Sequence, residues 1–196
     1  MTFEGAHRMR ISRRKFLRTG SAASLALISG RVFAAPAIIG VKELNVRTLS
    51  FDCTNAGEQL NDVDYWVEGD YVPDALAAID DALRDYRTDE VYPIATRLLD
   101  LLYRLGRSLD TDCRFELTSG YRSPETNGAL HELDSGVASN SLHMKGQAAD
   151  ITLPGRTLKQ LHEAALALRM GGVGYYPAPE DDFLHVDIGR VRRWQG

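Results

Sequence analysis

Hydrophobic and polar positions change period along the chain, and the changes mark its elements. Over residues 44–53 apolar side chains recur at a weak two-residue spacing (Leu44, Val46, then Leu49, Phe51), as in a strand. Thr54-Asn55-Ala56-Gly57 reads as a turn, and residues 63–72, rich in Tyr and Trp, as a second β-like stretch. An N-terminal hairpin is therefore expected. Pro73-Asp74 then opens a helix with Leu76, Ile79, Leu83 and Tyr86 on one face. A second helix carries Val91, Ile94, Ala95, Leu98, Leu99, Leu102 and Leu105, a close match to i, i+3, i+4, i+7 spacing, and Gly106 is placed to end it. Residues 114–119 predict a short strand with Phe115 and Leu117 on one face, residues 123–133 a short helix, residues 134–141 a polar loop and residues 147–153 another strand. Residues 157–170 form an amphipathic helix with Thr157 as N-cap and Gly171 at its C-terminal cap. Two short strands, 173–176 and 183–188, complete the pattern. Helices come early and short strands cluster late, which predicts an α+β domain.

The first residues obey a different logic. Arg8 and Arg10 precede Ser12-Arg13-Arg14-Lys15-Phe16-Leu17, a small, weakly apolar stretch spans residues 20–28, and Val32-Phe33-Ala34 offers small residues to a signal peptidase. The twin arginine followed by Phe-Leu resembles the twin-arginine (Tat) export consensus. The expected organisation is a Tat signal at 1–34, a linker at 35–43 and one domain at 44–196, working in the periplasm; cleavage is expected after Ala34, with Ala37 second. No apolar run reaches the roughly 18–20 residues of a membrane-spanning helix. The basic leader also masks the acidity of the domain. Residues 1–34 hold seven Lys/Arg and one Glu, so a chain of net −4 leaves −10 for residues 35–196. An acidic domain argues against nucleic-acid partners. The two cysteines, Cys53 and Cys113, could pair in an oxidising compartment or remain buried free thiols, and neither stands in a CxxC-type metal spacing.

Three side chains carry candidate chemistry: His143, Asp150 and His185. Two histidines with one carboxylate are a common catalytic zinc set, in which three protein ligands leave the fourth position to water. Strand alternation supports two of them. In residues 183–188, Leu184, Val186 and Ile188 form the apolar face, so His185 and Asp187 share the other. In residues 148–153, Ala149, Ile151 and Leu153 are the apolar set, so Asp150 and Thr152 point away from them.

The motifs around these residues are specific. Ser141-Leu142-His143-Met144-Lys145-Gly146-Gln147-Ala148-Ala149-Asp150 resembles the S-x-H-x-x-G-x-A-x-D motif of zinc D-Ala-D-Ala carboxypeptidase-type metallopeptidases. Ser119-Gly120-Tyr121-Arg122-Ser123 and Phe183-Leu184-His185-Val186-Asp187 resemble the flanking S-G-Y-R-S and F-x-H-x-D segments of that superfamily. Order and spacing, with the Gly-Val-Gly-Tyr-Tyr-Pro approach and the Gly-Arg-Val-Arg-Arg-Trp tail, are most similar to the YcbK-like murein endopeptidase branch, over about residues 44–196. This resemblance implies a hedgehog/DD-peptidase-like fold, a small antiparallel sheet with helices packed on it. It implies one Zn²⁺ held by His143, Asp150 and His185, and hydrolysis of peptide crosslinks in peptidoglycan, whose stem peptides are the expected partner. Arg122 matches the family arginine that faces the scissile carbonyl or a substrate carboxylate, with an ordinary salt bridge as its alternative role. Ser141 either hydrogen-bonds substrate or caps its loop. The general base is Asp182, three positions before the last histidine, or Asp187, which could instead orient a ligand from behind. Asp181, His131, His162 and His7 have no assigned chemistry. Two other activities stay open: a carboxypeptidase trimming terminal D-Ala, and a non-catalytic peptidoglycan-binding domain.

Overall fold

The computed structural model describes residues 45–133, 136–178 and 182–196; the expected leader and linker at 1–43, and Asp181, lie outside them. Among the described residues, eight strands and four helices run in the order β1 (Val46–Cys53), β2 (Glu58–Val67), β3 (Asp70–Tyr71), α1 (Pro73–Ala82), α2 (Thr96–Ser108), β4 (Arg114–Ser119) and α3 (Pro124–Leu133). A single 3₁₀ turn (Leu142–Lys145) comes next. After it come β5 (Ala148–Thr152), α4 (Leu158–Leu168), β6 (Gly172–Tyr176), β7 (Phe183–Asp187) and β8 (Arg192–Gln195). All eight strands join one sheet, ordered β3-β2-β1-β4-β5-β7-β6-β8. The class is α+β as expected, but the sheet is neither small nor purely antiparallel: β1 pairs with β4, and β6 with β8, in parallel. Parallel neighbours need a crossover, which α1 and α2 provide between β1 and β4. Helices α2 and α4 pack on each other and on the sheet, and between them lie Phe51, Leu98, Leu102, Phe115, Ile151, Leu161 and Leu184, all at most 1% exposed. Removing that apolar area from water is what holds the layers together. Among the described residues, no helix is long and apolar enough to cross a membrane.

Several boundaries differ from the periodic expectation, each for a local reason. The second β-like stretch breaks at Glu68 and Gly69, both at positive φ (52° and 116°), so the chain turns back and Asp70–Tyr71 form the separate strand β3. Helix α1 stops at Ala82, and Leu83 is its C-cap, leaving Tyr86 beyond the helix in a turn closed by an Asp85–Glu90 bridge. Val91 lies outside α2 and is 49% exposed; Tyr92 precedes Pro93, and a residue before proline is pushed out of the helical region. Gly106 does not end α2 but sits inside it, where an added Cβ would fall 2.6 Å from the Cys113 sulfur. At α4, Thr157 caps as expected and forms a capping box with Gln160, but the C-cap is Arg169 in the left-handed region (φ 53°) rather than Gly171. Gly171 packs instead against the Asp187 carbonyl, with no room for a side chain. Strand β8 has no apolar alternation to reveal it, and its pairing with β6 alone defines it.

The cysteines are free and buried. In the parallel β1–β4 register Cys53 lies level with Leu117. Cys113 is four residues upstream of Leu117, about 13 Å along the strand direction, where a disulfide needs Cα atoms within about 7 Å. Their thiols approach the Ala82 and Tyr103 carbonyls at 3.2 and 3.5 Å. Burial raises Cys53 to about 12 and Cys113 to about 11, which makes both poor nucleophiles.

Candidate metal centre

Sheet register assembles the first half of the site. In the antiparallel β5–β7 pair, Asp150 stands directly opposite His185, and opposed residues on one face have Cβ atoms about 5 Å apart. The third group arrives on the 3₁₀ turn. Ser141 caps that turn, its hydroxyl accepting from the His143 amide at 3.3 Å, and Gly146 closes it at φ 60°. A Cβ at Gly146 would run into the Pro93 carbonyl, so the turn sits tight against the segment leading into α2.

His143 Nε2 lies 3.2 Å from Asp150 Oδ1 and 3.1 Å from His185 Nδ1, and His185 Nδ1 lies 2.8 Å from the same carboxylate oxygen. Among the described residues these three form the group able to hold a metal ion, with ligand atoms all within 4.8 Å of one another. Four ligands about a zinc ion at 2.0–2.1 Å would spread to about 3.3 Å apart. The chemistry of the donor set fits as well. The other nitrogen of His143, Nδ1, lies 2.6 Å from the Gly120 carbonyl, which only accepts, so Nδ1 carries the proton. The other nitrogen of His185, Nε2, lies 3.2 Å from Asp187 Oδ2 and likewise donates. In its neutral form each ring is thereby set in the tautomer whose lone pair points at the shared centre.

The surroundings oppose water and hold the charges. His143 and Asp150 are buried and His185 is half-buried. Burial lowers His143. Burial alone would raise Asp150, but the nearby His143 and Arg122 hold it well below the usual carboxylate range. For His185 burial acts downward and is outweighed by hydrogen bonds to Asp150 and Asp187, so the ring is raised.

Arg122 is brought to the site. Its Nη2 pairs with the outer oxygen of Asp150, and its Nε donates to Ser119 Oγ at 2.8 Å. The loop that carries it is clamped from below. Ser123 N donates to the buried Asp85 carboxylate at 2.8 Å, Tyr121 OH donates to Glu90 at 2.7 Å, and Tyr121 N donates to the Leu83 carbonyl at 2.8 Å. Ser141 is buried beneath the 3₁₀ turn in its capping role. The two candidate bases part company. Asp187 is fully buried, and its oxygens accept from His185, Arg192 and the Gly172 and Gly189 amides. Asp182 is exposed at the entrance to β7 and does not join the ligand group. Asp85, Glu90 and Arg192 escape sequence reasoning because each serves through a backbone or long-range contact. The matching two-residue spacings Gly172-x-Gly174 and Arg192-x-Trp194 are visible in the chain, but only the β6–β8 register sets them against each other.

A family model described as peptidoglycan L,D-endopeptidase MepK (Peptidase_M15_2) matches residues 41–194. The peptidoglycan L,D-endopeptidase MepK of Escherichia coli (strain K12) is 36% identical over 183 residues, covering 93% of this chain and 97% of that protein. The probable peptidoglycan L,D-endopeptidase MepK of Haemophilus influenzae is 35% identical over 187 residues, covering 94% of this chain and 96% of the relative.

Proposed function

This chain belongs to the family described as peptidoglycan L,D-endopeptidase MepK, and on that footing we propose that it is a zinc-dependent murein endopeptidase that hydrolyses peptide crosslinks of peptidoglycan outside the cytoplasm. The observation that carries this reading is the convergence of two imidazole lone pairs and one carboxylate oxygen on a single point, with the far nitrogen of each ring already committed as a donor. His143, Asp150 and His185 are the zinc ligands in this reading. A zinc ion held there would supply Lewis acidity at the scissile carbonyl and make a bound water more acidic.

The chain's own residues do the rest. Asp182, exposed and three residues before His185 in the chain, takes the proton of the attacking water and returns it to the leaving amine. Asp187 is sealed and saturated with donors, so it serves as the orienting partner of His185. Arg122 stands with its guanidinium beside Asp150, where it meets the developing oxyanion or a stem-peptide carboxylate. Ser141 holds the turn that presents His143. The crosslink between two diaminopimelate residues is the proposed target, and the twin-arginine leader the proposed export route.

Digestion of purified sacculi tests the proposal. Crosslinked muropeptides should disappear, the loss should stop after chelation and dialysis, and zinc should restore it. Full activity without metal would remove the zinc reading. Release of terminal D-Ala alone, with crosslinks intact, would replace the endopeptidase by a carboxypeptidase. In the same assay Asp182→Asn should retain zinc yet turn over about 10²–10⁴-fold more slowly, the usual contribution of a general base. An unchanged rate would remove Asp182 from that role.

A further inference from the structure

The C-terminal strand β8 lies two strands away from the zinc ligand on β7, with β6 between them, yet two of its side chains reach β7. Register explains how. Gly174 of β6 is level with His185 on one side and Trp194 on the other, and Gly172 is level with Arg192. Arg192 and Trp194 therefore cross β6 over residues that have no side chain. A Cβ on Gly172 would collide with Arg192 Nη1 and lie 2.5 Å from Asp187 Oδ2. A Cβ on Gly174 would lie 2.6 Å from the Trp194 ring. The Gly-Val-Gly spacing is thus a pair of open channels, and what fills them points at the ligand. Arg192 grips both oxygens of Asp187, Nη1 to Oδ1 at 3.1 Å and Nη2 to Oδ2 at 2.7 Å. The Trp194 ring lies 5.2 Å from the His185 ring, is pinned by its Nε1 donating to Tyr176 OH at 2.8 Å, and has the Arg192 guanidinium over it at 4.8 Å.

We propose that β8 is a brace for the metal ligand, and that Arg192 is a positioning residue that acts through Asp187 to hold His185 in its metal-binding orientation and tautomer. This rests on the zinc reading of the site. The bidentate grip of a planar guanidinium fixes the carboxylate's plane. That aims Oδ2 at His185 Nε2, and the hydrogen bond keeps the proton on Nε2 and the lone pair of Nδ1 directed at the ion. Without Arg192 the carboxylate keeps the Gly172 and Gly189 amides on Oδ1 but loses the partner that steers Oδ2.

The test compares wild type, Arg192→Gln and Arg192→Lys by zinc competition with a chromophoric chelator. Thermal unfolding of the metal-free chains and ¹⁵N NMR of the His185 ring at pH 9 complete it. Arg192→Gln should bind zinc about ten-fold more weakly, the lower end for an outer partner of a ligand. Its metal-free chain should still unfold cooperatively, with a smaller loss of midpoint than Asp187→Asn because the carboxylate keeps His185 and the Gly172 and Gly189 amides, and its His185 should show a mixture of tautomers in place of the Nε2–H form. Arg192→Lys, which keeps the charge but not the fork, should fall between the two. Equal zinc affinity, or a pure Nε2–H tautomer in Arg192→Gln, overturns the proposal. So does failure of both variants to fold without metal, because Arg192 would then hold the strand rather than the ligand. If wild type itself takes up no zinc, the metal reading fails, while the tautomer measurement still decides the role of Arg192.

Discussion

Asp150→Asn should leave a folded chain that has lost zinc at metal concentrations that saturate the wild type, and should slow crosslink hydrolysis by well over 100-fold. Substitution of outer partners alone costs about 10–100-fold in metal affinity or activity, and Asp150 is the proposed ligand itself. The change is isosteric, so it opens no cavity in a site where Asp150 is 2% exposed. What it removes is charge. The carboxylate faces His143 Nε2 and His185 Nδ1 with one oxygen and Arg122 with the other. An amide would present either a neutral oxygen or an N–H to the centre, and an N–H would sit in direct competition with the ion. Chelator competition reads the affinity and a muropeptide digest reads the rate. Zinc bound as tightly by Asp150→Asn as by wild type would show that the ion, if present, is held elsewhere.

The second large effect is expected at Asp187, which touches no substrate. Asp187→Asn should weaken zinc binding about 10–100-fold and destabilise the metal-free protein by about 3–5 kcal/mol, the cost of breaking one side of a buried charge pair. A loss of 3 kcal/mol corresponds to a fall of about 6–12 °C in Tm for a chain of this size. Every partner of Asp187 is a donor: His185, Arg192 and the amides of Gly172 and Gly189. An asparagine must turn its own N–H groups toward one of them. Facing His185, they would force the proton from Nε2 to Nδ1 and close the lone pair that the ion needs. Facing the amides, they would push the end of β7 away from Gly172.

The stability effect should also depend on pH in a defined way. Burial would raise Asp187, but the hydrogen bonds from His185, Arg192 and the two amides outweigh it and hold the carboxyl below the usual range. A depressed carboxyl stabilises the fold above its unfolded value, near 4, and that contribution is lost only as the pH falls through the depressed folded value. The carboxyl's own contribution should therefore shrink in acid, and because the same contact raises His185, part of the difference between wild type and Asp187→Asn should also be lost as the pH rises above about 6.5 through the raised His185 value. Denaturant unfolding of the metal-free proteins from acid to pH 8 is the measurement, and a difference below about 1 kcal/mol at pH 7 would assign Asp187 a minor role.

Much of the site was legible in the chain itself. Alternation over residues 183–188 placed His185 and Asp187 on one face, and alternation over 148–153 separated Asp150 from Ala149, Ile151 and Leu153. The structure keeps both, with Leu184, Val186 and Ile151 in the core. Thr157 announced its helix through side-chain chemistry confined to one turn. Two failures came where a local signal had a distant cause. Gly106 resembled a helix end but is small because Cys113 packs on it. Gly171 resembled a C-cap but makes room for the Asp187 carbonyl. Val91 extended the apolar period of α2, yet Pro93 two residues later keeps it outside the helix. The cysteines had a compartment that would permit a bond, and only the β1–β4 register showed them out of reach.

By itself the sequence determined which residue types could bind a metal, which faces of their strands Asp150 and His185 would occupy and where most helices begin. All of these depend on side-chain chemistry and backbone periodicity within a few residues. The tertiary structure alone decided that Asp150 stands opposite His185, that the turn with His143 closes on both, that Gly120 and Asp187 choose the tautomers, and that β8 reaches across two glycines to the ligand strand. Strand order and register are chosen by hydrogen bonds and apolar burial between segments far apart in the chain, and no window of neighbouring residues contains them.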